Sequence, residues 1–205
     1  MLPIELQIRT KEQLIKCLEL EKSFYSCGFI ARLFHLSERA ILRRHQILLR
    51  KTEFHMNTNH IVRSNWYRVL LIRIQNKYAL HIPTNCCEEG LHIMHLGPIL
   101  INNNAQLGKY CSLHINTAIV ASGTSGDAPV LGKYVVLGVG AVVLGGIRIA
   151  DYTAVGANAV VNRTVTEENT AVAGVPARKI SNNGRLEWNK AMNTNGRSVR
   201  EDINE

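Results

Sequence analysis

No apolar stretch of this 205-residue sequence approaches the roughly 20 residues that span a bilayer, so no membrane-crossing helix is predicted. The opening MLPIELQIRTKEQL has no apolar segment behind a basic one, and no secretory signal is read from it. Cysteine is sparse. Cys17, Cys27, Cys86, Cys87 and Cys111 are odd in number and lack C-x-x-C spacing. Adjacent Cys86 and Cys87 are poorly placed to bridge each other. This excludes a disulfide scaffold and predicts reduced, singly buried thiols in a cytoplasmic protein. Finger spacing, an aromatic-basic ribonucleoprotein motif and a clear helix-turn-helix are also missing, so no nucleic-acid partner is predicted despite a net charge of +8.

That charge is unevenly placed. Residues 1–78 hold 14 bases and 6 acids, residues 79–180 hold 6 of each, and residues 181–205 hold 4 of each. Ten of the 15 glycines fall between 101 and 180. The sequence therefore divides into a basic N-terminal part (1–78), a neutral glycine-rich part (79–180) and a polar tail (181–205), the last read as partly disordered.

The neutral part carries a six-residue period. Ile101, Leu107, Leu113, Ile119, Leu131, Leu137, Val143, Ile149, Val155 and Val161 share one register. The single skipped slot is Ser125, inside the polar stretch 122–127. Four places after each anchor stands a small or β-branched residue such as Ala105, Thr117, Ala141 or Ala159. Six is neither the 3.6 of a helix nor the 2 of a strand. It fits a parallel β solenoid in which a short strand and its turn consume six residues. The anchors point inward, and Gly, Asn or Asp occupy turns of left-handed backbone. Stacked coils bury together an aliphatic column that no coil could bury alone.

The pattern aliphatic-Gly-x-x-small-x resembles the hexapeptide-repeat acyltransferases, and Gly174-Val175-Pro176-Ala177-Arg178 resembles their closing signature. Pro83 followed by Gly90-Leu91-His92-Ile93-Met94-His95 resembles the serine acetyltransferase branch, many members of which accompany polysaccharide biosynthesis. The resemblance covers residues 79–181. It implies a left-handed β-helix preceded by a small helical subdomain, acetyl-CoA as co-substrate, and a homotrimer with the site between subunits or a hexamer formed by pairing trimers. The family's cysteine synthase partner, held through a terminal isoleucine, is not implied by a chain ending Ile203-Asn204-Glu205.

The basic part reads as helical over 11–51. Leu14, Cys17, Leu18 and Lys22 share one side, Ile30, Leu33 and Phe34 continue the spacing, and Ser37 is a plausible N-cap. Asn57-Thr58-Asn59 interrupts the pattern, and the segment 66–77 resumes it as helix or strand. Arg39, Arg43, Arg44, Arg50 and Lys51 read most simply as a solvated helix face. A second reading is attraction to an anionic membrane surface or a pyrophosphate-bearing substrate.

Transfer of an acetyl group to a hydroxyl requires a base for the hydroxyl proton and donors for the oxyanion. Imidazole suits the first role near neutral pH. His35, His45, His55 and His60 are read as surface residues. His95 falls on the sixfold register where an aliphatic is expected, and a polar anchor invites a functional explanation. By the resemblance it is the general base. Leu80 stands where the branch has an aspartate orienting that histidine, leaving Glu88, Glu89 or His81 as candidate substitutes. The branch's second histidine, which contacts the amino-acid substrate, has no counterpart in 122–129, where Asp127 is the one ionisable residue.

These departures favour a sugar hydroxyl of a capsular or exopolysaccharide precursor, small or lipid-linked, over serine as acceptor. Asp127, His114 and Asn116 are candidate acceptor contacts. The resemblance places the pantetheine arm on Gly138, Gly140, Ala141, Gly156 and Ala157, and the adenosine phosphates on Arg178 and Lys179. Solenoid turns require glycine with or without a ligand. No zinc-ligand spacing is repeated by His92, His95 and His114, so no metal is predicted. The alternatives are a serine O-acetyltransferase and a catalytically silent scaffold, and peripheral contact with a membrane is compatible with either enzyme.

Overall fold

The computed structural model describes residues 1–186. A 3-10 turn (Ile4–Leu6) precedes four helices, α1 (Lys11–Ser23), α2 (Phe29–Phe34), α3 (Glu38–Asn57) and α4 (Ile61–Tyr78). Thr10 and Gln13 form a reciprocal capping box on α1. Ser37 caps α3 by accepting from Ala40 N at 3.3 Å. The segment 66–77, compatible by sequence with helix or strand, is helical, and α4 stops where Ala79 turns left-handed at φ 56°. None of the described helices is long and apolar enough to cross a membrane.

Short strands then wind round three faces. The first face holds β1 (Leu80–His81), β3 (Ile99–Ile101), β6 (Thr117–Val120), β9 (Val142–Leu144) and β12 (Val160–Val161). The second holds β4 (Gln106–Leu107), β7 (Val130–Leu131) and β10 (Arg148–Ile149). The third holds β2 (His92–Ile93), β5 (Ser112–Leu113), β8 (Val136–Leu137), β11 (Ala154–Val155) and β13 (Ala171–Gly174). Coils pair in parallel with like anchors opposed, for example Leu113 with Leu137 and Ile119 with Val143. The exception is β14 (Ala177–Ser181), which folds back antiparallel on β13.

All ten anchors are 3% exposed or less, each contributing about 1.5–3 kcal/mol of burial. The skipped slot at Ser125 is an exposed loop between β6 and β7, after which the ladder resumes in register with Leu107 opposite Leu131.

Two expectations are corrected. Ile93, opposite Leu113, occupies the column in the first coil, and eight residues rather than six separate it from Ile101. His95 is therefore not an anchor; it lies in the lengthened corner that follows. Nor do all left-handed corners use Gly, Asn or Asp. Tyr110, Tyr134 and Tyr152 take φ of 58°, 57° and 59°, and their rings stack at centroid distances of 4.8 and 5.0 Å. Ring stacking, worth about 0.5–1.5 kcal/mol per pair, offsets much of the left-handed backbone cost of about 1–2 kcal/mol per residue.

The helical part is joined to the first coil by buried ions. Arg50, 1% exposed, contacts Glu21 at 2.6 Å and Glu53 at 2.9 Å, both also buried. It donates further to Cys87 O at 2.8 Å and Glu88 O at 2.7 Å. Glu21 accepts from Gly90 N and Leu91 N, and Glu53 from Asn85 N. Burial alone would lower the Arg50 pKa, but the two carboxylates raise it well above its ordinary value. Arg50 thus departs from the solvated face expected of the basic run. His45 and His55, expected on the surface, are also buried.

Candidate active site

The corner joining the third face to the first runs the length of the solenoid. His95 stands at its head, in the bend between β2 and β3, with a side chain 57% exposed. Its Nδ1 lies 3.3 Å from Oε1 of Glu38, whose Oε2 accepts from Leu96 N. Glu38 is the first residue of α3, where the helix dipole favours a negative charge. An imidazole donating from Nδ1 to a carboxylate leaves Nε2 as a proton acceptor.

Two more imidazoles adjoin it. The His114 ring lies 6.1 Å from that of His95. His92, the outward-facing residue of β2, has its ring 4.8 Å from Phe24 and 5.7 Å from Tyr25. Tyr25 is fixed by donating to Ile93 O and accepting from Ile93 N. Burial, then Arg185, His114 and His95, push the His92 pKa down to about 4. Burial, then His95 and Arg185, also lower that of His114. Arg185 is anchored by its backbone N on Tyr152 O at 2.8 Å. Its Nε, like His114 Nδ1 and Ser112 Oγ, is buried without a hydrogen-bond partner among the described residues. Two neutral imidazoles therefore adjoin the exposed His95, and the Arg185 guanidinium acts on both of them.

The carboxylates expected to orient His95 do not. Glu88 and Glu89 follow Cys87 at the corner between the second and third faces, and Glu89 binds Lys109 at 2.8 Å. Burial raises the Glu88 pKa, with Lys109 opposing. His81 points outward on the first face, in a groove of about 360 Å³ shared with Gln75, Asn102 and Asn103. Leu80 is fully buried, so no side chain there reaches His95. Glu38, which supplies the carboxylate, is 57 residues away in sequence and was legible only as a charge opening a helix.

Asn116 shares the His95 corner, exposed and left-handed at φ 61°. Asp127 lies in the loop after β6, at the corner between the first and second faces, and packs on Gly146; a single chain does not bring it to His95. Gly138, Gly140, Ala141, Gly156 and Ala157 continue the His95 corner. A Cβ on Gly138 would meet Ala157 N at 2.8 Å, and one on Gly156 would meet Ala173 Cβ at 2.9 Å. Coil stacking alone thus requires these glycines, and their lack of side chains leaves Val139, Ala157 and Asn158 as the side chains along this strip. Beyond the strip, Arg178 is exposed, and Lys179 is paired with Glu167 at a groove of about 220 Å³. Among the described residues no three His, Cys, Asp or Glu are arranged to hold a metal ion. The polar tail expected to be partly disordered, with the chain end Ile203-Asn204-Glu205, lies largely outside the described residues.

No family model matches the chain. Over 98 residues it is 35% identical to a serine acetyltransferase of Synechococcus elongatus, covering 47% of this chain and 40% of the relative. Over 103 residues it is 33% identical to a serine acetyltransferase of Mycobacterium tuberculosis, covering 47% and 44%. The chain thus spans less than half the length of these curated relatives. In structure it resembles a Neisseria gonorrhoeae serine acetyltransferase in complex with serine, with TM-score 0.62 and 23% identity over 83% of this chain and 70% of that one. It also resembles the Brucella abortus serine acetyltransferase in complex with coenzyme A, with TM-score 0.63 and 20% identity over 85% and 70%. At 83% and 85% of this chain, the structural matches extend into the helical part. The chain accordingly shares the fold of these solved structures, a helical N-terminal part followed by a left-handed parallel β-helix.

Proposed function

We propose that this chain is an acetyl-CoA-dependent O-acetyltransferase in which His95 is the general base and Glu38 its positioning carboxylate. The observation that carries this reading is an exposed imidazole held through Nδ1 at the head of a corner where Gly138, Gly140 and Gly156 withhold side chains. His95 Nε2 takes the proton of the acceptor hydroxyl. Glu38 fixes the ring and stabilises the imidazolium that forms. The strip through Gly138 and Gly156 fits an extended pantetheine arm, and Arg178 offers a cation to phosphate groups. Acetyl-CoA supplies the thioester from which the acetyl group departs.

Serine is the acceptor the curated relatives favour, and it displaces the saccharide that the sequence suggested. A saccharide remains a second reading on one observation, the histidine-free loop 122–129 where the branch has the histidine that contacts its amino-acid substrate. Homotrimerisation belongs to the same proposal, since the resemblance implies a site between subunits and His95 is exposed in the single chain; light scattering on the purified protein tests it. The unbridged cysteines, four of them buried, support a reducing, cytoplasmic setting.

The test is release of the coenzyme A thiol with serine and, separately, with sugar acceptors. Turnover with serine that falls by about 10²–10⁴-fold in His95→Ala supports the reading. Absence of both thiol release and acetyl-CoA binding by calorimetry overturns it, and turnover only with sugars reverses the acceptor.

A further inference from the structure

The +8 of the basic part takes no role in the chemistry above, and its placement is specific. Residues 28–44 carry four bases and one acid, and residues 61–78 carry four bases and no acid. The one acid, Glu38, faces His95. Between α2, α3 and α4 lies a groove of about 380 Å³. Its apolar lining is Phe34, Ile41, Leu70, Ile74 and Tyr78, and its polar lining is His35, Arg44, Arg73 and Lys77, with no carboxylate. None of these three cations is ion-paired among the described residues. Burial, then Arg44 and Lys77, lower the His35 pKa, which suits the neutral ring to its 3.0 Å contact with Arg44.

The rim is apolar to an unusual degree. Phe29, Ile30, Leu33, Phe34 and Leu36 are 57–70% exposed. On α4, Trp66 and Val69 are 67% and 51% exposed and fall on one helical stripe with Arg73 and Lys77. Exposed bulky apolar groups interleaved with unpaired bases are the composition of a surface that seats in a bilayer interface, where the apolar groups enter the headgroup boundary and the bases meet anionic lipid. A second copy packed on this face by a two-fold axis would set bases against bases, which disfavours self-association.

We propose that α2 and the groove it forms with α3 and α4 are a docking face for anionic lipid, with a lipid phosphate held by Arg44, Arg73 and Lys77. The face adjoins the candidate site, because the α2 segment leads directly into Ser37 and Glu38. The proposal stands apart from the acyl-transfer reading and survives its failure.

The test is co-sedimentation of the full chain with vesicles of phosphatidylcholine alone and of phosphatidylcholine mixed with phosphatidylglycerol. Partition into the mixed vesicles alone, weakening as salt rises, supports the proposal. Arg73→Gln/Lys77→Gln should weaken partition about 30-fold, at about 1 kcal/mol per cation. Phe29→Ser/Leu33→Ser, both at exposed positions, should weaken it about tenfold or more while leaving the circular dichroism unchanged. Equal partition into both vesicle types, or into neither, overturns the proposal. So does concentration-dependent self-association that Phe29→Ser/Leu33→Ser abolishes without any lipid uptake.

Discussion

Replacing Glu38 by glutamine separates the orienting of His95 from everything else the helical part does. Gln retains the length of the side chain and its place at the head of α3, but not the charge that an imidazolium would face. Both partners are about half exposed and their contact is 3.3 Å, so its direct share of stability is small, about 0.5 kcal/mol after solvent screening. The effect on turnover is larger. A hydrogen bond to a charged group contributes about 1.5–3 kcal/mol; with this length and exposure the lower end applies, so kcat should fall about tenfold. KM for acetyl-CoA should not move, because the strip beyond Gly138 is untouched. Steady-state thiol release on the variant, with thermal melts to confirm the fold, reads both quantities. Wild-type kcat in Glu38→Gln beside an inactive His95→Ala would refute the orienting role. A raised KM with unchanged kcat would recast Glu38 as a ligand contact.

Arg50→Met leaves Glu21 and Glu53 buried without their cation, at a cost of about 3–5 kcal/mol. The melting temperature should drop by at least about 6 °C, and an unchanged melt would show that the ions are dispensable. Gly138→Ala drives a Cβ against backbone at 2.8 Å, whereas Gly123→Ala meets nothing within 4 Å. Urea midpoints should fall by the equivalent of about 1–3 kcal/mol in the first and barely move in the second; equal shifts would discredit the coil spacing. His45 and His92 both have pKa values of about 4, against an ordinary 6.5. The unfolded chain therefore takes up two protons on acidification that the fold refuses, and stability is lost as pH falls from about 6.5 towards 4. Their joint slope is about 2.7 kcal/mol per pH unit, opposed by Glu53, whose pKa burial raises. His92→Asn should flatten the measured slope by about half of that contribution, and an identical slope in the variant would refute the assignment.

The solenoid was legible because one physical requirement, an inward aliphatic every sixth residue, is repeated ten times on one register. Where the repeat lapses, legibility lapses with it. Two extra residues between Ile93 and Ile101 moved His95 out of the column, so counting in sixes gave it an anchor's place, although the resemblance singled out the same residue. Glu38 was hidden because nothing local marks a contact across 57 residues. Arg50 reads as surface by residue type, and its burial follows from two acids, Glu21 and Glu53, of which only the second is near it in sequence. The α2 segment erred in the opposite direction: apolar residues at helical spacing suggest a packed helix, yet Phe29, Ile30, Leu33 and Phe34 remain exposed.

The ionic triad also sets where the solenoid stops. A parallel coil ends in a row of unpaired backbone groups, and such an edge can recruit another strand indefinitely. In this chain the row at the first coil is already occupied. Arg50 takes the carbonyls of Cys87 and Glu88, Glu21 takes the amides of Gly90 and Leu91, and Gln46 donates to Leu91 O. At the opposite end, β14 reverses direction and closes the third face. The protein is thereby a filament segment of fixed length, with its growing end stoppered by charge. Removal of the helices would expose an unpaired, aliphatic-backed edge, and the product to expect from that truncation is a fibre rather than a shorter solenoid.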